Sequence, residues 1–359
     1  MKIAVNATFL ERDHTEAPHF IQECIKRIAT LHPEHEFLFI GKELPENLLN
    51  IRSLPLTPPS KNPLRRKFWY NYTLPKTLKK HSIDLVLHAD NACSLQTDIP
   101  QLLLVAYLPL QFKLLQKKMF QQSLLKASQV IIPSLYLQKK LSEKYTIDED
   151  NMTVIHPAAY EIQLADHEKH NTKQHYTGGK EYFLYAGHSL PVTGFTNLLK
   201  AFSLFKKMQK SNMLLLILTK TVADMKASEE KVKTYKYRDE IKVMVGLSEK
   251  ETTDIIASAY AFVYPSFYEN SGMPVIQAIK CHTPVIVSSL DVLQELCGDA
   301  ALYMSPDSPE QISERMSLLY KDERSRSTLI RRGIKRLEQY NWDHAAAKLW
   351  KLMAPSTKH

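Results

Sequence analysis

The 359 residues are 44% hydrophobic, which is enough to bury large cores, and the length indicates two domains. The 47 Lys and Arg against 38 Asp and Glu leave a net charge of +9, which suits an anionic ligand, a phosphorylated acceptor or an anionic membrane surface, although an ordinary basic protein would show the same excess. The four cysteines have no metal-ligand spacing, so we expect buried thiols in a reducing cytoplasm rather than disulfides or zinc: Cys24, Cys93, Cys281 and Cys297.

No segment predicts a membrane span or a secretion signal. The longest apolar run, 102–115, contains Pro109 and Lys113 and is too short to cross a bilayer. The first apolar run is interrupted at Asn6 and followed by charges, whereas a signal peptide needs a longer apolar core and a cleavage site of small residues. We therefore expect a cytoplasmic protein.

Strands and helices alternate along the first half of the chain. Helical periodicity is clearest in 17–33, where the apolar residues fall on one face. Short strands separated by helices predict a parallel sheet with right-handed crossovers. The predicted strands are 2–8, 36–41, 84–89, 101–107, 128–134 and 152–158.

A polar, histidine-rich stretch then interrupts the pattern, and we interpret 166–180 as a linker between domains 1–165 and 181–340. The alternation restarts after it, and a last helix is predicted near 343–353. Two doubly wound domains would leave a cleft at the carboxyl ends of their strands. The predicted strands of the second half are 182–187, 213–219, 241–246, 260–266, 283–289 and 300–305.

One stretch of the second half, "YENSGMPVIQAIKCHTPVIVSS" (268–289), carries the clearest site signal. Glu269 precedes a glycine turn, and Pro274 lies where a helix takes its first residues, because its fixed φ fits there. A helix that starts behind a glycine turn can bind an anion, since backbone N–H groups and the helix dipole point outward together.

This motif, within 246–316, resembles the carboxyl-terminal domain of retaining family 4 glycosyltransferases, the group 1 glycosyltransferases of GT-B fold. The first half is similar to the family's other domain at 1–10, 68–90 and 130–158. The resemblance covers nearly the whole chain. It implies an α/β fold with two Rossmann-like, doubly wound domains, an interdomain cleft, and a carboxyl-terminal helix (341–359) that crosses back to the first domain.

The resemblance also implies a nucleotide-sugar donor and no metal or other cofactor. Glu269 matches the family's carboxylate near the transferred sugar, where it would favour developing positive charge, and is the candidate catalytic residue. Gly187, Gly272 and Met273 match donor-binding positions. Gln277 stands where the family has a second glutamate that binds the ribose, so one charge-assisted contact is weakened.

Other positions depart from the family pattern. His188 and Thr193 replace an arginine and a lysine that face the donor pyrophosphate. The loop "ERDHTEAPHF" has no glycine where the family has a glycine-rich loop. Ala106 and Tyr107 fall on the family's His-Asp pair. His88 matches a histidine at a strand end facing the acceptor side of the cleft, although a structural histidine with satisfied hydrogen bonds fits equally well.

Two surface features remain outside the donor site. The basic and aromatic run 61–72 could contact lipid head groups or a phosphorylated acceptor, but a solvated helix start with Trp69 packed inward is favoured. No nucleic-acid reader motif occurs. The histidines His167, His170, His175 and His188 have no recurring ligand spacing and do not predict a metal site.

Two functions follow. The first is a retaining glycosyltransferase that transfers a sugar from a nucleotide-sugar to a sugar, lipid or protein acceptor. Such a protein would act in the cytoplasm, either free or peripherally bound at the inner face of the membrane. The second is a non-catalytic protein of the same fold that binds or stabilises an active glycosyltransferase. Glu269, Gly187 and Gly272 favour the first function. The second is favoured by the changes at Ala106, Tyr107, His188, Thr193 and Gln277.

Overall fold

The computed structural model describes residues 1–6, 17–41, 49–56, 62–108, 114–145, 147–187 and 193–354. The chain forms two compact units. Unit 1 comprises Met1–Ala158 together with Tyr340–His359, and unit 2 comprises Ala159–Gln339. Each unit is an α/β structure built on a parallel sheet.

Unit 1 alternates strands with helices, as its hydrophobic pattern predicts. A short π-helical segment, Trp69–Thr73, continues directly from one helix into the next. The elements before the unit boundary are β1 (Lys2–Asn6), α1 (Ala17–Leu31), β2 (Glu36–Ile40), β3 (Ile51–Leu54), α2 (Pro63–Phe68), α3 (Leu74–Lys80), β4 (Leu85–His88), β5 (Gln101–Leu104), α4 (Leu114–Lys126), β6 (Gln129–Ile132), α5 (Leu135–Lys144) and β7 (Met152–Val154).

The described strands of unit 1 form one seven-stranded sheet in the order β3-β2-β1-β4-β5-β6-β7. All its pairs are parallel. The strand order reverses between β1 and β4, and ligands of doubly wound folds bind at the carboxyl ends of strands at such a reversal. Helix α1 covers one face of the sheet through Ile21, Cys24 and Ile25, while Tyr70 and Leu74 cover the other face.

Unit 2 repeats this architecture with a six-stranded parallel sheet in the order β10-β9-β8-β11-β12-β13. Its order reverses between β8 and β11. Its elements are α6 (Asp166–Thr177), β8 (Tyr182–Ala186), α7 (Phe195–Gln209), β9 (Leu214–Leu218), α8 (Val222–Val232), β10 (Ile241–Met244), α9 (Glu249–Ser258), β11 (Ala261–Tyr264), α10 (Met273–Lys280), β12 (Val285–Ser288), α11 (Asp291–Cys297), β13 (Ala301–Met304), α12 (Pro309–Lys321) and α13 (Glu323–Arg336).

The segment interpreted as a linker is largely a helix of unit 2. Helix α6 begins with Glu168 bonding back to the backbone of Ala165 and ends at Gly178, which has a φ of 63°. Thr177 is its only buried residue. A helix that buries so little shows no apolar periodicity, which is why the sequence alone indicated a linker. The boundary between the units falls earlier, after Ala158.

The last helix, α14 (Trp342–Met353), follows unit 2 in the chain but belongs to unit 1. Its buried residues Trp342, Leu349 and Met353 join the core that contains α1. Asn341 caps its start by accepting a hydrogen bond from the backbone N–H of His344 at 2.8 Å. Unit 1 is therefore discontinuous in sequence.

Candidate functional site

The predicted donor residues of unit 2 lie at the carboxyl ends of β8 and β11, where the strand order of the sheet reverses. Gly187 follows β8, Thr193 lies just before α7, and Glu269 follows β11. Parallel neighbouring strands bring these loops to one edge of the sheet. His188, the first of the two predicted cation replacements, lies outside the described residues.

The Glu269 carboxylate is oriented by hydrogen bonds from three donors close to it in the chain. Its Oε1 accepts from the backbone N–H groups of Asn270 at 2.7 Å and Ser271 at 3.1 Å. Its Oε2 accepts from the hydroxyl of Tyr264 at 2.7 Å. Because Tyr264 is the last residue of β11, the sheet itself fixes one side of the carboxylate. Glu269 is only partly buried, so solvent and ligands can reach it.

The turn after Glu269 leads directly into α10. Gly272 has a φ of 71°, a left-handed conformation that suits glycine, and its carbonyl accepts from the N–H groups of Val275 and Ile276. A Cβ on Gly272 would lie 2.6 Å from Cδ2 of Leu296. Met273 is the first helical residue and Pro274 the second. The sequence prediction of a glycine turn followed by a proline-started helix is thus confirmed.

Gln277 lies in the second turn of α10 and is partly exposed. Within the described part of the chain, no hydrogen bond to its side-chain amide is recorded. Its amide can still accept one hydrogen bond from a ligand hydroxyl, but it brings no charge.

Neutral hydroxyls face each other at the start of α7. Tyr185, from β8, forms a side-chain hydrogen bond with Thr193, and burial raises the pKa of the Tyr185 phenol. Gly194, which has a φ of 66°, comes so close to β11 that an added Cβ would lie 1.9 Å from the carbonyl oxygen of Pro265. Gly194 therefore packs against Pro265 of the β11–α10 loop. The Tyr185–Thr193 hydroxyl pair lies at the position where the resemblance predicts a cation.

In unit 1, His88 lies at the end of β4 directly beside Asn6 of β1, at the reversal of strand order. It has no exposed surface. The side-chain amide of Asn6 is 3.1 Å from its Nδ1, and Gln101 Oε1 is 2.9 Å from its Nε2. Burial lowers the pKa of His88 to about 4, against the raising effect of the Gln101 bond. His88 is therefore a buried, neutral histidine with both ring nitrogens hydrogen-bonded, which agrees with the structural alternative left open by the sequence.

Beside His88 lies a buried network that the sequence analysis missed. The Tyr70 hydroxyl donates to the carboxylate of Asp90, and Arg66 Nη2 donates to the same carboxylate at 3.2 Å and to the Asp90 carbonyl at 2.6 Å. Asn6 donates to the Tyr70 oxygen at 3.1 Å. Burial opposes the charge of Arg66, but the Asp90 carboxylate raises the pKa of Arg66 above its usual value. The sequence offered one sign of this network, since Asp90 directly follows the predicted strand 84–89.

Ala106 and Tyr107 follow β5 and are both partly buried. Ala106 packs against the core that contains α1. Tyr107 is near enough to Arg66 to contribute to its raised pKa. The predicted replacements for the family's His-Asp pair are thus an apolar contact and a phenol at the end of β5.

The described residues contain no cluster of three or more His, Cys, Asp or Glu side chains that could hold a metal ion. Within the same residues, no helix is long and apolar enough to cross a membrane. His167, His170 and His175 all lie on α6.

Comparison with known proteins shows which family the second unit resembles. The model of the family Glycosyl transferases group 1 matches residues 166–336, which covers nearly all of unit 2 and includes the Glu269 turn. Residues 166–336 are therefore similar in sequence to the group 1 glycosyltransferases.

Two curated relatives match parts of the chain. The O-antigen chain mannosyltransferase B of Escherichia coli is 34% identical over 94 residues, which is 26% of this chain and 25% of the relative. The O-antigen chain mannosyltransferase RfbU of Salmonella typhimurium is 26% identical over 189 residues, which is 53% of this chain and 50% of the relative. The matched regions thus span a quarter and a half of the lengths of these two relatives.

Solved structures match the fold over almost the whole chain. Anabaena HepE, crystallised in complex with UDP-glucose, superposes with a TM-score of 0.80 at 12% identity, covering 98% of this chain and 99% of HepE. At that identity the likeness shows the fold alone. Together with the two parallel sheets, it confirms the predicted GT-B fold with two Rossmann-like domains.

Proposed function

We propose that this protein is a retaining glycosyltransferase that transfers a sugar from a nucleotide-sugar donor to a sugar, lipid or protein acceptor. The match of residues 166–336 to the group 1 glycosyltransferases and the mannosyltransferase relatives support the reaction class, and mannose is accordingly the first donor sugar to test. HepE, a structural neighbour, is seen with UDP-glucose, which supports a nucleotide-sugar donor. In this proposal the protein acts in the cytoplasm, at the inner face of the membrane.

The observation that carries this proposal is the geometry of Glu269. Its carboxylate is oriented by Tyr264 and by the backbone of its own turn, immediately before the start of α10. A preorganised carboxylate favours positive charge that develops at an anomeric carbon. The backbone N–H groups and dipole at the start of α10 favour a donor phosphate.

In the proposed reaction the bond between the anomeric carbon and the donor phosphate breaks, and the nucleotide diphosphate leaves with the bonding electrons. An acceptor hydroxyl forms the new bond from the same face, and its proton passes to the departing phosphate oxygen. Glu269 stabilises the positive charge between these two events, and no metal or other cofactor takes part.

A second function is favoured by a specific observation. The Tyr185–Thr193 hydroxyl pair and Gln277 leave neutral groups at donor positions where the family has charged ones. Each charge-assisted hydrogen bond contributes roughly 1.5–3 kcal/mol, so the replacement of two expected cations by His188 and Thr193 weakens nucleotide binding by about a hundredfold or more. The alternative is therefore a non-catalytic protein that binds or stabilises an active glycosyltransferase.

One experiment separates the two functions. Three proteins are compared: the unmodified protein, Glu269→Gln and the restored-cation variant His188→Arg/Thr193→Lys. Calorimetric titration with UDP-glucose and GDP-mannose measures donor binding. Product analysis with a lipid-linked glycan acceptor then measures transfer. A transferase gives product that Glu269→Gln abolishes without loss of donor binding. Donor binding that appears only in the restored-cation variant, with no product from the unmodified protein, establishes the non-catalytic function.

A further inference from the structure

A stripe of large apolar side chains lies exposed on the segment that runs through α2, the π-helical segment and α3. Leu64, Phe68 and Tyr72 are 66%, 60% and 56% exposed. They follow each other at intervals of four residues, so they lie on one side of a continuous helical path. The rings of Phe68 and Tyr72 stack with centroids 4.8 Å apart. Exposed aromatic pairs beside an exposed leucine are the contacts that an apolar partner would cover.

The segment that carries the stripe contains basic but no acidic residues. From residue 62 to residue 80 the sequence contains no Asp or Glu, and α4, which contacts α2, contains none either. Within the described residues, no acidic side chain forms an ion pair with the exposed cations of α2, α3 and α4. These cations are Arg65, Lys67, Lys76, Lys79, Lys80, Lys117, Lys118 and Lys126.

The opposite side of the segment is held firmly in unit 1. Trp69, Tyr70, Leu74 and Leu78 are buried against the first sheet. This confirms the inward packing of Trp69 predicted from the sequence. Arg66 is bonded to Asp90, which follows β4. The stripe thus lies on a segment whose other side is buried. Arg66, two residues from both Leu64 and Phe68, joins this segment to Asp90 at the carboxyl edge of the sheet.

We infer that the surface formed by Leu64, Phe68, Tyr72 and the surrounding cations docks on an anionic lipid bilayer. Aromatic and aliphatic side chains among lysines and arginines match the boundary between head groups and acyl chains. The cations attract anionic head groups, and the apolar side chains insert below them. A second copy of this chain would bring the same positive charges face to face, so charge repulsion opposes self-association through this surface.

Membrane binding by this surface does not depend on the proposed function. The biological consequence does rest on it, because a docked transferase would reach an acceptor carried by the membrane. Membrane binding itself is measured without turnover. Vesicle binding by Glu269→Gln keeps the two proposals apart, because that variant loses transfer under the proposed function and retains docking under this one.

The test is co-sedimentation of the full chain with phosphatidylcholine vesicles that contain phosphatidylglycerol, and with pure phosphatidylcholine vesicles. We expect binding to the anionic vesicles only, weakened by salt. Leu64→Ser/Phe68→Ser/Tyr72→Ser and, separately, Lys76→Glu/Lys79→Glu/Lys80→Glu should each reduce the partition coefficient by at least about tenfold. Tryptophan fluorescence and circular dichroism verify that these surface variants remain folded.

Matched variants elsewhere serve as controls. Leu135→Ser/Met208→Ser/Val222→Ser removes apolar side chains of 56%, 55% and 55% exposure, and Lys220→Glu/Lys226→Glu/Lys321→Glu removes three exposed cations. The apolar control should bind as the unmodified protein does, and the charge control should bind more tightly than the Lys76/Lys79/Lys80 variant. Equal losses in the matched sets would overturn the inference. Unchanged vesicle binding by the Leu64/Phe68/Tyr72 variant would also overturn it, and would indicate that the surface binds a polyanion such as a nucleic acid. A concentration-dependent dimer that this variant abolishes would overturn it as well, because the surface would then bind a second copy of the chain.

Discussion

At Glu269, a single side chain on the sheet determines how a carboxylate in a loop is aimed. The two backbone donors belong to the turn itself, whereas the Tyr264 hydroxyl comes from the end of β11. The backbone donors remain when the side chain of Asn270 or Ser271 is replaced by any residue but proline. Among the described residues, the Tyr264 hydroxyl is thus the side-chain contact through which the orientation of Glu269 can be changed without removing its charge.

Tyr264→Phe should lower kcat while leaving donor affinity nearly unchanged. A lost hydrogen bond to a carboxylate is worth roughly 1.5–3 kcal/mol, which corresponds to a tenfold to hundredfold decrease in rate. Tyr268→Phe is the matched control, because its hydroxyl donates to Asn270 at 2.8 Å rather than to Glu269. Steady-state kinetics and calorimetric titration measure the two quantities. Equal kcat values for the two variants would show that Tyr264 does not position the carboxylate.

His88 should make unit 1 sensitive to acid. Its pKa is about 4 in the folded protein against an ordinary value of 6.5, so between these values the unfolded chain takes up a proton that the folded chain excludes. Its contribution to stability is complete above pH 6.5 and is lost as the pH falls towards 4, a change of about 3 kcal/mol.

The measurement is the free energy of urea unfolding followed by tryptophan fluorescence across this pH range. His88→Gln should flatten the pH dependence relative to the unmodified protein, and the exposed His167→Gln should not. A slope that His88→Gln leaves unchanged would contradict the buried neutral state of this histidine.

Among the elements of unit 2, the start of α7 packs closely against Pro265, the residue after β11, because Gly194 has no side chain. Gly194→Ala should destabilise the protein by about 2–5 kcal/mol, because left-handed strain contributes about 1–2 kcal/mol and the clash with Pro265 about 1–3 kcal/mol. Gly246→Ala isolates the strain, since Gly246 has a φ of 74° and nothing within 4 Å of an added Cβ. Unfolding followed by circular dichroism gives both values. Similar losses in the two variants would mean that the close approach is not tight in solution.

The elements that could be predicted from sequence are those that bury apolar side chains. Every described strand except β3 coincides with a predicted run, and β3 was missed because it is short and only partly buried. Helix α6 was missed because it buries only Thr177 and therefore shows no apolar periodicity. The role of His88 could not be predicted, because its partners Asn6 and Gln101 lie 82 and 13 residues away in the chain. The Glu269 turn was predictable because its glycine and proline act locally.

At the scale of the whole molecule, the chain returns to unit 1 after completing unit 2. The core that α14 joins contains residues of α1, β1, β2, β4 and β5, so the last helix completes a core begun by the first strand. Arg27 of α1 and Asp343 of α14 also form an ion pair at 2.9 Å. Because exposed ion pairs contribute little, burial of apolar side chains is the main term that holds α14 in place.

The position of the tryptophans makes this dependence measurable. All three, Trp69, Trp342 and Trp350, belong to unit 1, so tryptophan fluorescence reports that unit and circular dichroism reports both. Leu349→Ala removes a fully buried side chain and should lower the free energy of unfolding seen by fluorescence by about 2–5 kcal/mol. Lys348→Ala, one residue earlier and exposed, should change it by less than about 0.5 kcal/mol. A loss no larger than that of Lys348→Ala would mean that α14 contributes little to unit 1, and that the first unit is stable without the last segment of the chain.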